Sequence, residues 1–196
     1  MFTNRKDVEK ILGALGEELA VLRSSTDLLV CGGSALTALG FIERATKDVD
    51  VLAFIDSKDG LTAHTAKPFP ANLQTAASRV ADFYKLPKNW LNPGPTSALD
   101  LGLPGGLLER SEIHRFGDYL TVRFLSRLDQ IHFKLYAATD QGPGKHYQDL
   151  LSLHPLENEI EAAACWSRTH DPSEGYLQEL RKVITSLGFL NVPHRI

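Results

Sequence analysis

Between Leu28 and Phe54 the chain reads LLVCGGSALTALGFIERATKDVDVLAF. This segment begins with an unbroken apolar run, turns at Gly-Gly-Ser, continues through a short helical stretch towards Gly40, and ends in a second apolar run. An unbroken apolar run is typical of a strand that is covered on both faces, and glycine is favoured just past the end of a helix. The pattern therefore predicts a strand, a tight turn, a helix and a second strand, around which the other elements pack.

Two aspartates, Asp48 and Asp50, stand at the start of the second apolar run and flank Val49. Because side chains alternate along a strand, we expect both carboxylates on one face, and Val49 and Val51 on the other. Like charges held side by side are unfavourable unless a cation lies between them. Mg2+ prefers oxygen ligands, commonly one or two carboxylates together with water and substrate phosphates. The pair therefore predicts a magnesium site at Asp48 and Asp50.

The turn at Gly32, Gly33 and Ser34 predicts the complementary half of such a site. Glycine permits a tight turn and the close approach of a ligand to the backbone. We expect Ser34 to cap the following helix, whose exposed N–H groups attract anionic phosphate. Gly32, Gly33 and Ser34 are therefore candidate nucleotide-binding residues next to the metal-binding aspartates.

The order Gly-Gly-Ser, helix, Asp-x-Asp resembles the signature of the nucleotidyltransferase superfamily of the DNA polymerase beta type. The fuller pattern GGSAL…G…R.T.DVDVL resembles the branch that contains the AbiEii-type toxins of type IV toxin-antitoxin systems and related nucleotidyltransferase-like proteins. The resemblance implies that the glycine-serine turn holds a triphosphate and that the aspartates hold two Mg2+ ions. Either motif alone is a weak signal, and the alternative is an ordinary strand-turn-helix-strand unit with incidental aspartates.

Three further residues match this branch. Arg44 and Thr46 fit its R.T.D spacing, and the resemblance implies that they support the metal-binding strand or contact the nucleotide. Lys134 lies in FKLYAATD, which resembles the K-L-x-A helix of the branch and implies a position beside the nucleotide phosphates. The alternative for Lys134 is a side chain whose stem packs on apolar neighbours while its ammonium group reaches water.

The segment GKHYQDLLSL resembles the K-D-x-x-D-L motif of the branch, with matches at Lys145 and Asp149. The resemblance assigns both residues to nucleotide binding. His146 stands where the motif has its first aspartate, and a neutral imidazole cannot duplicate a carboxylate, although it can accept a proton near neutral pH. Because Lys145 and Asp149 are four residues apart, the alternative is an exposed ion pair on one helix face.

A third carboxylate has no clear counterpart in this sequence. The resemblance implies that it lies on the strand beside Asp-x-Asp, where it helps to hold the catalytic metal ion and orients or deprotonates the attacking hydroxyl. Asp100, Glu112 and Asp118 are the candidates. We favour Glu112 as the catalytic partner of Asp48 and Asp50, because it belongs to a predicted strand with alternating side chains. If none of the three reaches the site, nucleotide binding without catalysis remains.

The predicted fold class is α/β (α+β), with a small mixed nucleotidyltransferase-type sheet flanked by helices and a helical C-terminal part. We expect a nucleotidyltransferase-like core in residues 1–125, on which the helical residues 126–196 pack. Apolar residues recur at helical spacing in five segments. They are residues 3–22, capped by Thr3 or Asn4; residues 71–84, with Ala76, Val80 and Phe83 on the apolar face; a helix from residue 126; and residues 156–168 and 173–187.

The segments between these helices have distinct predictions. Residues 55–70 are polar and broken by glycine and proline, so we expect a loop. Trp90 precedes a Pro-Gly segment and is expected to fill the core. Residues 112–125 predict two strands joined at Gly117, or one bent strand, and residues 191–196 predict a loose tail.

Length and composition restrict the class of protein. The chain has 196 residues, a formal net charge of −3 and two cysteines, of which Cys31 is expected to be a core residue. The charge argues against a general nucleic-acid coat, and no run approaches the roughly 18 apolar residues of a membrane span. Residues 1–10 lack the apolar region of a signal peptide. We therefore expect a cytoplasmic protein that has no membrane partner.

These observations predict a Mg2+-dependent nucleotidyltransferase-like protein, with two Mg2+ ions in its active form. It would transfer a nucleoside monophosphate from a nucleoside triphosphate to a hydroxyl group of RNA or protein. The resemblance implies a toxin with a cognate antitoxin as partner. The alternative is a catalytically degenerate nucleotidyltransferase fold that acts as a nucleotide-binding, regulatory or partner-binding protein, and the unidentified third carboxylate and His146 favour it.

Overall fold

The computed structural model describes residues 2–56 and 59–196. These residues form one mixed six-stranded sheet with flanking helices, followed by a helical C-terminal part, which confirms the predicted α/β class. The chain divides into two compact units, Met1–Ser126 and Arg127–Ile196, which we call unit 1 and unit 2. Two residues of the predicted 55–70 loop, Ser57 and Lys58, lie outside the described residues.

The sheet belongs to unit 1. Its strands are β1 (Thr26–Cys31), β2 (Val49–Ile55), β3 (Ala63–Thr65), β4 (Leu91–Asn92), β5 (Glu112–Phe116) and β6 (Leu120–Phe124). Their order is β3-β2-β1-β6-β5, and β4 also pairs with β2. β1 runs antiparallel to β2 and parallel to β6, whereas β5 and β6 form an antiparallel hairpin. Residues 112–125 therefore form two strands rather than one bent strand.

Two short strands share the edge of β2 that faces away from β1. β3 pairs antiparallel with Ala53–Ile55, and β4 pairs parallel with Val49 and Asp50. β3 corrects the prediction that residues 55–70 form only a loop. Its three residues are too few to show an alternating pattern, and they are held by antiparallel pairing with β2, the preceding strand.

The helices of unit 1 are α1 (Arg5–Val21), α2 (Gly32–Ala38), α3 (Ala71–Tyr84) and α4 (Leu107–Arg110), with a 3-10 helix at Gly94–Leu99. Asn4 caps α1, since its side chain accepts the backbone N–H of Asp7 at 3.1 Å. The buried residues of α1 and α3 form one core cluster with alternate residues of β1, β2 and β6, including Val30 and Val51. Because neighbours on a strand face opposite ways, Cys31 and Asp50 point to the other face of the sheet.

The apolar face of α3 differs from its prediction at one residue. Ala76 and Val80 are buried as predicted, whereas Phe83 is 78% exposed and contacts the ring of Tyr84. The buried stripe of the helix includes Leu73 and its helical neighbours, and Phe83 lies to one side of it. Phe83 was therefore wrongly predicted, because its apolar character does not by itself determine which way it faces.

Unit 2 consists of helices. They are α5 (Arg127–Gln141), α6 (Lys145–Ser152), α7 (Glu157–His170) and α8 (Glu174–Ser186), with a 3-10 helix at Val192–His194. The predicted loose tail is wrong, because Val192 is fully buried and Arg195 forms ion pairs with Glu157 and Glu161. No helix in residues 2–56 or 59–196 is long and apolar enough to cross a bilayer.

Candidate functional site

The register between β1 and β2 brings the turn at Gly32, Gly33 and Ser34, which we call the glycine corner, to Asp50. Cys31, the last residue of β1, is paired with Asp50. Gly32 follows directly and has a φ of +77°, which only glycine adopts readily. A Cβ atom at Gly32 would also collide with the carboxylate oxygen Oδ2 of Asp50. The backbone of the corner and this carboxylate therefore occupy one small volume.

Asp50 lies in β2, and Asp48 directly precedes this strand. Both aspartates are half-buried, whereas Val49 and Val51 are fully buried in the core, and a common face for the two carboxylates stays a prediction. The hydroxyl of Thr46 donates a long hydrogen bond to Oδ1 of Asp48 at 3.4 Å. Both carboxylates therefore lie near the surface, where a ligand can reach them.

Arg44 and Thr46 lie beside the second glycine of the corner. A Cβ atom at Gly33 would come within 3.0 Å of the Thr46 hydroxyl oxygen and 3.2 Å of the Arg44 guanidinium nitrogen Nη2. Thr46 is held by two backbone hydrogen bonds with Phe2, of 2.8 and 2.9 Å, and Phe2 is itself buried. A guanidinium group at a glycine corner suits phosphate, since it offers several N–H donors and a positive charge.

Ser34 differs from its prediction as a helix cap. α2 begins at Gly32, Cys31 occupies the cap position without a side-chain hydrogen bond, and Ser34 lies in the first turn. Ser34 is fully buried, and its Oγ has no hydrogen-bond partner within residues 2–56 and 59–196. A buried hydroxyl without a partner costs about 1–3 kcal/mol. A phosphate oxygen would satisfy Ser34, although reaching it requires local opening of the corner.

Asn92 is a further residue of the site that was not predicted from the sequence. This residue of β4 is paired with Asp50, and its Nδ2 donates to the Asp50 oxygen Oδ1 at 3.1 Å. The Asn92 oxygen Oδ1 accepts the backbone N–H of Gly94 at 3.0 Å. Neighbouring Trp90 is fully buried, as predicted, and its indole N–H donates to the Ala77 carbonyl at 3.0 Å. Trp90 is the feature of the sequence that could have pointed to Asn92, because this buried side chain anchors the short strand on which Asn92 lies.

Glu112 is not brought to this site. It is paired with Phe124, which is paired with Val30, which in turn is paired with Val51 of β2. Three strand spacings separate Glu112 from β2, a distance of about 14 Å. Directly paired residues share a face, so Glu112 lies on the side of Val51, opposite Asp50. Glu112 therefore does not complete the carboxylate pair.

Of the other two candidates, Asp118 does not fill the position of the third carboxylate, and a role for Asp100 stays a prediction. Asp118 lies in the turn before β6, and the first residue of that strand, Leu120, is paired with Thr26 at the start of β1. Asp118 is therefore at the end of the sheet opposite the glycine corner. Asp100 is exposed and follows the 3-10 helix Gly94–Leu99. The residues paired with Asp50 are Cys31 on β1 and Asn92 on β4, and neither is a carboxylate.

Two of the predicted residues of unit 2, Lys134 and Asp149, form a buried ion pair. The Lys134 ammonium lies 2.8 Å from the Asp149 carboxylate oxygen Oδ2, and their side chains are only 4% and 1% exposed. Lys134 therefore does not extend to water, and the exposed Lys145–Asp149 pair is also excluded because Asp149 is buried. Lys145 is exposed at the start of α6, and His146 is half-buried. A contact between any of them and nucleotide stays a prediction.

The donor set of unit 1 fits a magnesium ion that arrives with phosphate. Residues 2–56 and 59–196 contain no group of three or more His, Cys, Asp and Glu side chains that could hold a metal by itself. Mg2+ does not require such a group, since one or two carboxylates plus water and substrate phosphates are its usual ligands. Asp50 beside Gly32, and Asp48 beside Thr46, would supply the carboxylates of that arrangement.

Comparisons with known proteins add no relative. No protein-family model matches the chain, and searches of curated proteins and of solved structures also return no match. The superfamily resemblance therefore rests on the sequence motifs, and membership stays a prediction.

Proposed function

We propose that this protein is a Mg2+-dependent nucleotidyltransferase-like protein. It binds a nucleoside triphosphate and transfers the nucleoside monophosphate to a hydroxyl acceptor. The observation that carries the proposal is the contact between the corner and the carboxylate: Cys31 is paired with Asp50, and Gly32 leaves no room for a Cβ beside the Asp50 oxygen. A glycine backbone thus lies against a carboxylate that can hold a cation, and the proposal is that phosphate binds to the same backbone.

The two aspartates, the backbone of the corner and Arg44 each have a role in this proposal. Asp48 and Asp50 would hold Mg2+, which when bound neutralises charge on the phosphate oxygens. The backbone at Gly32 and Gly33 and the Arg44 guanidinium bind the triphosphate. In the reaction, the acceptor oxygen forms a bond to the α-phosphorus, the bond to the pyrophosphate oxygen breaks, and the hydroxyl proton passes to solvent. The chain therefore contributes mainly position and charge.

The test is a transfer assay with each of the four nucleoside triphosphates labelled at the α-phosphate, in the presence of Mg2+ and cell extract. We expect a labelled product that requires Mg2+ and is lost in Asp48→Ala/Asp50→Ala. Glu112→Ala is the matched control, because it removes a carboxylate that lies away from the site and should retain activity. A wild-type protein that labels nothing beyond the double variant would reject transfer.

Digestion of the labelled product identifies the acceptor. Loss of the label with ribonuclease would indicate an RNA hydroxyl, and loss with protease would indicate a protein hydroxyl. Growth arrest on expression, relieved by Asp48→Ala/Asp50→Ala, would support the toxin role that the resemblance implies.

A second candidate function is nucleotide binding without transfer. Asn92, a neutral amide, is paired with Asp50 on the neighbouring strand, and Glu112 lies on the other face of the sheet. Both observations favour a site that holds Mg2+ and nucleotide but lacks a third carboxylate to activate the acceptor hydroxyl. Mg2+-dependent binding of a labelled nucleotide, with no labelled product at any enzyme concentration, would favour this candidate over transfer.

A further inference from the structure

Asn92 occupies the position on the neighbouring strand from which a side chain can reach Asp50. β4 contains only two residues, and its pairing with Val49 and Asp50 places Asn92 directly opposite the second aspartate. We propose that Asn92 is a positioning residue that orients Asp50 and limits the carboxylate pair to one divalent cation. This inference rests on the proposed function, because it concerns the cation that accompanies the nucleotide.

The amide of Asn92 is fixed at both ends. Its Nδ2 donates to the Asp50 oxygen Oδ1 at 3.1 Å, and its Oδ1 accepts the Gly94 N–H at 3.0 Å. The acceptor end is therefore directed to the Pro-Gly turn, and the donor end to the carboxylate. A donor in this place holds one carboxylate oxygen of Asp50 in a set orientation. A carboxylate at residue 92 would instead repel Asp50.

Because the side chain of residue 92 is a neutral amide, it limits the number of cations that Asp48 and Asp50 can hold. A two-metal site needs enough negative oxygen ligands to hold both ions, one at the attacking oxygen and one at the leaving oxygen. Here Asp48 and Asp50 are the carboxylates at the corner, and the neighbouring strand adds a neutral side chain that donates rather than coordinates. Glu112 is about 14 Å away from β2 by strand spacing. The site therefore matches one Mg2+ bound together with a triphosphate, and not the pair of ions that the sequence resemblance implied.

The experiment counts bound Mn2+ by electron paramagnetic resonance on the full chain. It uses each α,β-methylene nucleoside triphosphate, which binds but cannot be transferred, and a nucleotide-only sample as blank. We expect one Mn2+ per wild-type chain. We expect two in Asn92→Asp, with the spin coupling of neighbouring ions. Asn92→Ala is the matched control: it removes the amide without adding charge and should bind one ion with roughly tenfold lower affinity, because Asp50 loses its orienting donor.

The outcomes separate this inference from the proposed function. Two ions in the wild type, or one ion in a folded Asn92→Asp variant, would overturn the role of Asn92 and leave nucleotide binding intact. No Mn2+ above the Asp48→Ala/Asp50→Ala level would reject the proposed function and this inference together. The wild-type count needs no variant, so the inference can fail even if Asn92→Asp does not fold. Circular dichroism and thermal unfolding with and without Mn2+ establish whether it does.

Discussion

The carboxylate of Asp149 in unit 2 and those of Asp48 and Asp50 in unit 1 have contrasting surroundings. Asp149 is 1% exposed and lies 2.8 Å from the ammonium of Lys134, which is equally buried. Asp48 and Asp50 are half-buried, and the hydrogen bonds that reach them include those from two neutral groups, the Thr46 hydroxyl and the Asn92 amide. One region buries its carboxylate fully against a lysine, whereas the other holds half-buried carboxylates at or near a glycine corner.

The difference separates a structural acid from a candidate ligand-binding acid. A buried carboxylate without a cation would carry a large desolvation penalty, so Asp149 must have Lys134 or an equivalent partner. A half-exposed pair remains partly hydrated and can exchange that water for a metal ion. Sequence motifs assigned both regions to the nucleotide, but burial gives them different physical roles. Substitutions in both units test this contrast.

The largest effect is expected from Asp149→Asn. Loss of this carboxylate leaves the Lys134 ammonium buried without its ion-pair partner, and the free energy of unfolding should fall by about 3–5 kcal/mol. Urea unfolding followed by Trp166 fluorescence in a Trp90→Phe background reports on unit 2, since the chain has two tryptophans.

The matched control for this substitution is Glu179→Gln. The Glu179–Lys182 ion pair is 2.7 Å long, but its side chains are 55% and 71% exposed. Its loss should change the free energy of unfolding by less than about 0.5 kcal/mol. Similar small effects for both substitutions would show that burial does not distinguish Asp149 as we argue. A Lys134→Met/Asp149→Leu variant should recover much of the lost stability.

Asp48→Asn and Asp50→Asn should lower nucleotide affinity strongly and the free energy of unfolding only slightly. Each removes a charge that would hold the cation, so nucleotide affinity in Mg2+ should fall about 100-fold, or nearly 3 kcal/mol. The free energy of unfolding should fall by less than it does in Asp149→Asn, because both carboxylates are half-buried and stay partly hydrated. Isothermal titration calorimetry and urea unfolding measure the two quantities. Large destabilisation with unchanged affinity would make the pair structural, as Asp149 is.

Alkaline pH should weaken unit 2 through Tyr176. Burial raises the pKa of this phenol from 10.0 to about 12, and the side chain is 7% exposed. Below pH 10 the phenol is neutral in both states. Between pH 10 and 12 the unfolded chain ionises first, so up to about 2 kcal/mol of stability is lost as pH rises. Urea midpoints from pH 9 to 11.5 should fall more steeply for wild type than for Tyr176→Phe, and parallel curves would contradict the assignment.

The smallest effect on stability is expected from Ser34→Ala. The substitution removes a buried hydroxyl that has no partner in the described part of the chain, so the free energy of unfolding should stay constant or rise by about 1 kcal/mol. Nucleotide affinity should fall at the same time. Ser167→Ala is the control, since the Ser167 hydroxyl donates to the Ala164 carbonyl at 2.9 Å in unit 2. That variant should lose stability and keep its affinity; a Ser34 variant that behaves like it would exclude a ligand role for Ser34.

The amphipathic helices and the turn chemistry were readable from the sequence. The α1 cap at Asn4, the residues of α3 and the glycine just after α2 depend on groups a few positions apart. The α2 end shows why: Gly40 has a φ of +77°, and its N–H and that of Phe41 bond to carbonyls of the last turn. Such contacts are encoded locally, so periodicity and residue type are enough.

Other features depended on pairing between distant segments. Asn92 and Asp50 are 42 positions apart and meet only because β4 joins the edge of β2. Glu112 was favoured for its alternation along a strand, but strand order and register put it on the opposite face from Asp50. Alternation tells which residues share a face of one strand, and it says nothing about which strand lies beside which.

The amino-acid order alone established the class of fold and the strand-corner-strand segment, since both follow from apolar periodicity and from the conformational freedom of glycine. Folding in three dimensions settled which acids meet the corner, which one is enclosed by Lys134, and which side chain stands next to Asp50. The physical reason is that register and burial arise from packing among segments far apart in the chain. A local pattern of residues does not determine which distant segments pack together or which charges lose their water.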